Sequence, residues 1–164
     1  MKKFILMALL CAPMTMFAQK FGHINSQEIM TSMPEFSIAQ GEIQAKAKEF
    51  ENEMSEMQQE FQRKAEEFDK VRQTLPQTKQ QETETELQGL YTKLQQANQY
   101  YQQQLQKLQQ EKLQPIQTKL MNAITAVGKT GNYVYIMDLS MGIPYINDAI
   151  SEDVTAKVKA ELKK

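Results

Sequence analysis

A seven-residue repeat of apolar residues between Phe36 and Leu75 constrains this fold more than any other feature. Ten of the twelve residues at its two core positions are apolar, and the residues between them are mainly Glu, Gln, Lys and Arg. A repeat of this length predicts a coiled-coil-like helix. One core position holds Phe36, Ile43, Phe50, Met57, Lys64 and Val71, and the other holds Gln40, Ala47, Met54, Phe61, Phe68 and Leu75.

A second helix is predicted after Pro76, because proline lacks a backbone N–H and disfavours helical geometry in the residue before it. The repeat then resumes along a return helix, and a short link between two long amphipathic helices predicts an antiparallel hairpin. The expected helices, residues 35–73 and 77–114, are each roughly 57 Å long, with a kink expected at Pro115. Core residues of the return helix are Leu87, Leu94, Tyr101 and Leu108, with Tyr91 and Leu105 at partner positions and Asn98 and Lys112 as interruptions.

Short β-strands are predicted on both sides of this hairpin. Residues 20–25 favour a strand, Ser32 is the expected N-cap of the first long helix, and Gly128 and Gly131 are expected to end the return helix. Residues 132–139 form the strongest strand pattern. Ile143 to Ile146 is expected to pair back with it as a hairpin.

A last helix is expected from Ser151 or Glu152, with Val154, Val158 and Leu162 on one stripe. The predicted fold class is therefore α+β and mostly α: a long antiparallel coiled-coil-like helical hairpin on a small β-strand base. Three short strands leave exposed edges and little core, so we expect the base to be completed by oligomerisation.

The N-terminus has the pattern of a secretory signal peptide over residues 1–18. Lys2 and Lys3 precede an apolar run too short to span a bilayer, and Ala18 is suitable for cleavage. The alternative is a lipoprotein signal at Cys11, but Leu10 precedes that cysteine where a small residue is usual. Residues 19–164 then form one exported domain, with a base (residues 20–33 and 116–164) and a hairpin arm (residues 34–115).

Composition argues against several classes of function. Of the 19 basic residues, 17 remain after Lys2 and Lys3 are removed, against 20 acidic ones, so the exported chain has a net charge of about −3. It therefore lacks the excess of basic residues that is typical of a nucleic-acid binder. It contains one histidine, His23, to which we assign a packing or hydrogen-bonding role, and no cysteine. Asp138, Asp148 and Asp153 lack the spacing of a metal loop. We expect no enzyme activity, no cofactor and no metal.

Candidate binding residues lie in the middle of the hairpin. Phe50, Met54, Met57 and Phe61 are core residues that suit an adaptable surface as well as a helix seam. Tyr100 lies outside the core register among neutral residues. These are Gln95, Gln96, Gln99, Gln102, Gln103, Gln104, Gln106, Gln109 and Gln110.

The order and spacing of three short segments resemble the Skp/OmpH family of periplasmic chaperones. They are Lys20-Phe21-Gly22-His23-Ile24-Asn25, Lys112-Leu113-Gln114-Pro115-Ile116 and Tyr133-Val134-Tyr135-Ile136-Met137-Asp138. The resemblance covers residues 19–164 and implies a periplasmic homotrimer. Its arms would enclose unfolded outer-membrane proteins and prevent their aggregation without ATP, so that Phe50, Met54, Met57, Phe61 and Tyr100 become candidate client-binding residues.

The resemblance and the charge disagree on one partner. Family members are often strongly basic, which suits lipopolysaccharide, whereas this chain is slightly acidic; lipopolysaccharide is therefore a doubtful partner. Two other functions remain open: a coiled-coil spacer or adaptor of the cell envelope, and a module that binds envelope polysaccharide or lipid.

Overall fold

The computed structural model describes residues 19–164, so the predicted signal peptide and the alternative at Cys11 lie outside the described residues. The chain divides into two compact units. The first, the sheet unit, comprises the residues up to Ser26 and Asn122–Lys164, and the second comprises Gln27–Met121. In chain order the elements are β1 (Lys20–Ile24), α1 (Ser26–Thr31), α2 (Pro34–Val71), α3 (Gln77–Gly131), β2 (Tyr133–Asp138), β3 (Ser151–Asp153) and α4 (Thr155–Glu161), with 3-10 turns at Arg72–Thr74 and Leu139–Met141.

Helix α2 confirms the long repeat. Every residue at the two predicted core positions is buried or half-buried, except Val71, which is 43% exposed beside the last turn. After the 3-10 turn, Leu75 is extended (ψ 144°) and Pro76 precedes α3, as the proline predicted.

The predicted N-cap of α2 is wrong. Met33 occupies the cap position in an extended conformation and provides no side-chain cap, while Pro34 begins the helix. Proline suits this position because it has no N–H that needs a partner. The Ser32 hydroxyl instead donates to the Ile29 carbonyl at 2.6 Å. It is engaged there because α1, a short helix that the sequence analysis missed, ends immediately before it.

The first half of α3 has a different core phase from the expected one, whereas in the second half the predicted core residues Tyr101, Leu105 and Leu108 are half-buried. Tyr91 is 47% exposed and Asn98 is exposed, whereas Leu90 and Ala97 are half-buried. The partner position therefore follows Leu87 and Leu94 by three residues rather than four. Asn98 does not interrupt the seam, the row of side chains along which α2 and α3 pack together, because Ala97 occupies the core position beside it.

Helix α3 also runs through Pro115 to Gly131 as one helix, so it does not end near residue 114. An interior proline removes one backbone hydrogen bond and costs about 3 kcal/mol. The apolar stripe that follows offsets that cost, since Ile116, Leu120, Ala123 and Val127 are all at most 8% exposed. Gly128 lies inside the helix, and the helix ends at Gly131.

The sheet is parallel, with β1 between β2 and β3. The predicted strand at residues 143–146 is wrong, because that segment contains no strand and β3 is Ser151–Asp153. The Asp138 carboxylate accepts the Ser140 N–H at 3.0 Å, and Gly142 (φ 83°) closes the 3-10 turn, which ends β2 without a hairpin. Pro144 has no N–H to donate to a ladder.

The core of the sheet unit contains Ile24, Val154 and Val158, each at most 2% exposed. The predicted stripe of the last helix is confirmed for these two valines, and Leu162 is half-buried. The helix begins at Thr155, later than expected, since Ser151–Asp153 is a strand and the Asp153 carboxylate accepts the Thr155 N–H at 2.9 Å.

Two glycines of α3 should respond oppositely to alanine. A Cβ at Gly131 would lie 2.2 Å from the Tyr133 ring, whereas a Cβ at Gly89 meets nothing within 4 Å. We predict that Gly89→Ala raises the free energy of unfolding by about 0.5–1 kcal/mol, and that Gly131→Ala lowers it by about 1–3 kcal/mol through overpacking. Urea unfolding followed by circular dichroism measures both. Equal effects of the two substitutions would contradict the tight contact at Gly131.

Candidate functional site

Four ion pairs connect α2 and the 3-10 turn that follows it to α3, and they define the register of the hairpin. As the residue number rises along α2, the number of its partner falls along α3, which is the signature of antiparallel packing. The pairs are Glu35–Lys119 at 2.5 Å, Glu42–Lys112, Lys64–Glu86 and Arg72–Glu84 at 3.0 Å.

The sign of these pairs reverses along the hairpin. Near Glu35 and Glu42 the carboxylates belong to α2, whereas near Lys64 and Arg72 they belong to α3. A parallel pairing would therefore place like charges together. The hydrogen bond from Lys119 lowers the pKa of Glu35. Because exposed ion pairs contribute little stability individually, their main effect here is to specify which residues of the two helices face each other.

The middle of the hairpin is held by aromatic contacts. The rings of Phe50 and Tyr101 stack with centroids 4.2 Å apart, and Phe61 contacts Tyr91 at 6.2 Å. The Tyr101 hydroxyl donates to the Glu53 carboxylate, and this hydrogen bond is the first cause of the raised pKa of Tyr101. Within the part of the chain that the structure describes, no ion pair joins the helices between Glu42–Lys112 and Lys64–Glu86.

A surface groove of about 570 Å³ opens beside this aromatic contact and is named the middle groove. Its apolar lining is contributed by both helices, and its charged lining consists of Glu60 and Lys93. The complete lining is Met57, Glu60, Leu90, Lys93, Gln96, Ala97, Tyr100 and Tyr101.

The middle groove brings together two of the five predicted binding residues. Met57 is half-buried and Tyr100 is 55% exposed, so both can be reached from solvent. Phe50 is 7% exposed and lines a separate groove of about 310 Å³ with Leu108. Met54 and Phe61 are half-buried and do not line the middle groove.

Sequence reasoning missed Leu90 and Ala97 as parts of this surface. The available signal was the spacing Leu87, Leu90, Leu94 and Ala97, which alternates three and four residues as expected for one helix face. Tyr91 obscured this spacing, because a large aromatic side chain directly follows Leu90.

A third groove, of about 510 Å³, lies closer to the turn between the two helices. Phe68, Val71, Leu75 and Leu87 form its apolar lining, and charged side chains that include Arg63 and Glu86 surround them. The hairpin thus carries three shallow sites with apolar floors and charged rims, rather than one enclosed pocket among those described.

The sheet unit carries a second candidate interaction surface. Strand β2 is an edge of the sheet, so its outer backbone groups have no strand partner within residues 19–164. Val134, Tyr135 and Met137 of this strand are all more than 40% exposed. Met141 and Tyr145, in the segment that follows, are 83% and 77% exposed. Exposed apolar residues beside a free strand edge are typical of an interface.

His23 lies in β1 at 5% exposure, and its Nδ1 is 2.9 Å from the Ser151 hydroxyl. The Asp148 carboxylate lies 3.9 Å from its Nε2. These residue types match those of a hydrolase triad. In a triad, however, the serine hydroxyl contacts Nε2 and the carboxylate contacts Nδ1, whereas here the two contacts are exchanged. Ser151 is also only 6% exposed. The contacts show His23 packed into the sheet and joining β1 to β3.

Two further kinds of site are absent among residues 19–164. No group of three or more acidic or histidine residues there is arranged to hold a metal ion. Over the same residues, no helix combines the length and apolar character that crossing a membrane requires.

Comparison with known proteins gives one family and one fold. The family described as outer membrane protein (OmpH-like) matches residues 20–162. A crystal structure from Caulobacter crescentus CB15, of a protein assigned as an OmpH-like outer membrane chaperone, aligns with a TM-score of 0.73 at 17% sequence identity. The alignment covers 88% of this chain and 83% of that one, and at this identity it shows the fold. No curated protein matches the chain at a significant level.

The seam and the groove should respond differently to truncation. We predict that Phe50→Ala lowers the free energy of unfolding by about 3 kcal/mol, because it removes a buried stacked ring. Tyr100→Ala should change it by less than about 0.5 kcal/mol, because that ring is mostly exposed. Urea unfolding of both variants tests this. A large loss of stability in Tyr100→Ala would show that Tyr100 belongs to the seam instead of the groove.

Proposed function

The chain belongs to the OmpH-like family of outer membrane proteins, and from that premise we propose that it is an ATP-independent holdase chaperone of the periplasm. It binds unfolded outer-membrane proteins and prevents their aggregation. The observation that carries this proposal is the series of three shallow grooves along the hairpin, each with an apolar floor and a charged rim.

Shallow apolar grooves suit a client that has no fixed structure. Burial of apolar surface yields about 25 cal/mol per Å² without requiring a particular sequence. Met57, Tyr100 and Val71 offer apolar contacts, and several weak contacts along one chain add up through high effective concentration. Such binding requires no bond to be made or broken, which agrees with the expectation that the chain is not an enzyme.

Oligomerisation would multiply these grooves. The free edge of β2 and the exposed side chains of Val134, Tyr135 and Met137 support self-association of the sheet unit. We propose a homo-oligomer, and a trimer on the basis of the resemblance. Its proposed partners are unfolded outer-membrane proteins, not nucleic acid, and the slight negative charge disfavours lipopolysaccharide.

One observation favours a second function, a structural spacer or adaptor of the cell envelope. Helix α3 is 55 residues long with Pro115 in its interior, and a helix of this length suits a spacer. A spacer needs no apolar grooves for unfolded chains, so the two functions differ in whether the protein captures a client.

Suppression of aggregation is the direct test. A urea-unfolded outer-membrane β-barrel is diluted into buffer with and without the protein, in the absence of ATP, while light scattering is recorded and native mass spectrometry counts the subunits. We predict that scattering falls by more than about tenfold, since a captured chain is not available to aggregate. The mass spectrum should contain one client per oligomer.

Tyr100→Gln and Tyr91→Gln provide a matched pair of variants. Both tyrosines are about half exposed on α3, but only Tyr100 lines the middle groove. We predict that Tyr100→Gln weakens capture of the β-barrel more than Tyr91→Gln does.

Unchanged aggregation in the presence of the wild-type protein would contradict the holdase function and favour the spacer.

A further inference from the structure

A row of carboxylates runs along α2, and its last member, Glu60, lines the middle groove. Glu49, Glu53, Glu56 and Glu60 follow one another at spacings of four, three and four residues, which places them along one side of α2. Met57, in the floor of the groove, lies between the last two of them in sequence. Like charges at a spacing of four residues repel each other, so this arrangement disfavours the helix that carries it.

The chain neutralises only part of this row. Lys46 pairs with Glu49 at 2.7 Å, and the Tyr101 hydroxyl donates to Glu53. Glu56 and Glu60 form no ion pair with any residue from 19 to 164. Elsewhere along the hairpin, α2 and α3 exchange cross-helix ion pairs at Glu35, Glu42, Lys64 and Arg72.

The facing part of α3 contains few cations. Residues 94–106 contain no charged side chain, and neutral glutamines occupy the positions where lysines could have faced the row. Of the lysines that flank this segment, Lys107 pairs with Glu111 at 3.7 Å, and Lys93 lines one end of the middle groove. The apolar floor of Met57, Leu90, Ala97 and Tyr100 is thus bordered on α2 by Glu60, with Glu53 and Glu56 next to it in the row, and on α3 by the single cation Lys93. Carboxylates therefore outnumber cations along this border.

We propose that the middle groove selects segments of an unfolded client in which an aromatic or aliphatic side chain is flanked by lysine or arginine. The apolar side chain lies against the groove floor, and the cation faces Glu56 and Glu60. An anionic partner, such as a phosphate-bearing lipid or a nucleic acid, is repelled by the same border. This inference rests on the proposed function and specifies its preferred client segments.

The test uses three fluorescently labelled peptides of about twelve residues, enough to extend along the groove. Tyrosine and leucine alternate with lysine in the first, with glutamate in the second and with glutamine in the third. Fluorescence anisotropy with the purified protein, expressed from its full sequence, should show that the lysine peptide binds at least about tenfold more tightly than the glutamate peptide at low salt. At about 0.5 M NaCl the ratio should fall below about threefold, because exposed charges are then screened.

Two charge-matched double variants locate the effect. Glu56→Gln/Glu60→Gln removes the unpaired part of the row while keeping the helix propensity. Glu66→Gln/Asp69→Asn changes the net charge by the same amount farther along α2, and neither residue lines the middle groove. The preference for the lysine peptide should disappear in the first variant and persist in the second.

Each other result would overturn the inference. Equal binding of the three peptides, no binding of any peptide, or an equal loss of preference in both variants would exclude a charge-selective groove. The failure of the proposed function is distinguishable, because the β-barrel aggregation assay is run on the same protein. Suppressed aggregation with no charge preference retains the holdase and removes only the selectivity.

Discussion

The seam between α2 and α3 is the interaction on which the rest of the hairpin depends. Its centre is the stacked pair Phe50–Tyr101, and ion pairs of opposite polarity flank it on either side. The stack contributes burial, and the ion pairs specify the antiparallel direction, because a parallel pairing would oppose like charges. A shift in register would separate the paired residues. Register in turn determines which side chains meet at each groove.

The middle groove follows from the choice of residues along that seam. Ala97 occupies a core position of α3 where its neighbours Leu94 and Tyr101 are large. The small side chain leaves space beside Met57, and Tyr100 extends this space toward solvent. A leucine at position 97 would improve the packing and reduce the volume of the groove. The seam is therefore less tightly packed where the candidate binding surface lies.

Local signals predicted most of the fold. The heptad repeat predicted α2 because its apolar periodicity is long, and Pro76 predicted the turn because proline acts on its immediate neighbours. Strand β2 was predicted from β-branched and aromatic residues that suit a strand anywhere. The fold class, a mostly helical α+β protein with a hairpin and a small sheet, was confirmed.

Two of the misses, strand β3 and the continuation of α3 through Pro115, originate in long-range packing. Ser151–Asp153 has weak strand propensity and is a strand because it pairs with β1, more than 120 residues earlier. Pro115 remains helical because Ile116 and Leu120 are buried beside it. The candidate site was predicted in part: Met57 and Tyr100 share a groove, whereas Phe50 is a seam residue whose exposure no sequence pattern could decide.

The most direct measurement of the central claim, that the middle groove contacts unfolded clients, is site-specific photo-crosslinking. A benzophenone side chain replaces Tyr100 in one variant and Tyr91 in another; nine residues of α-helix place these positions on opposite sides of α3. Each variant is mixed with a urea-unfolded outer-membrane β-barrel and irradiated. We predict a strong client adduct from position 100 and little from position 91. Equal adducts at both positions, or none at position 100, would contradict it.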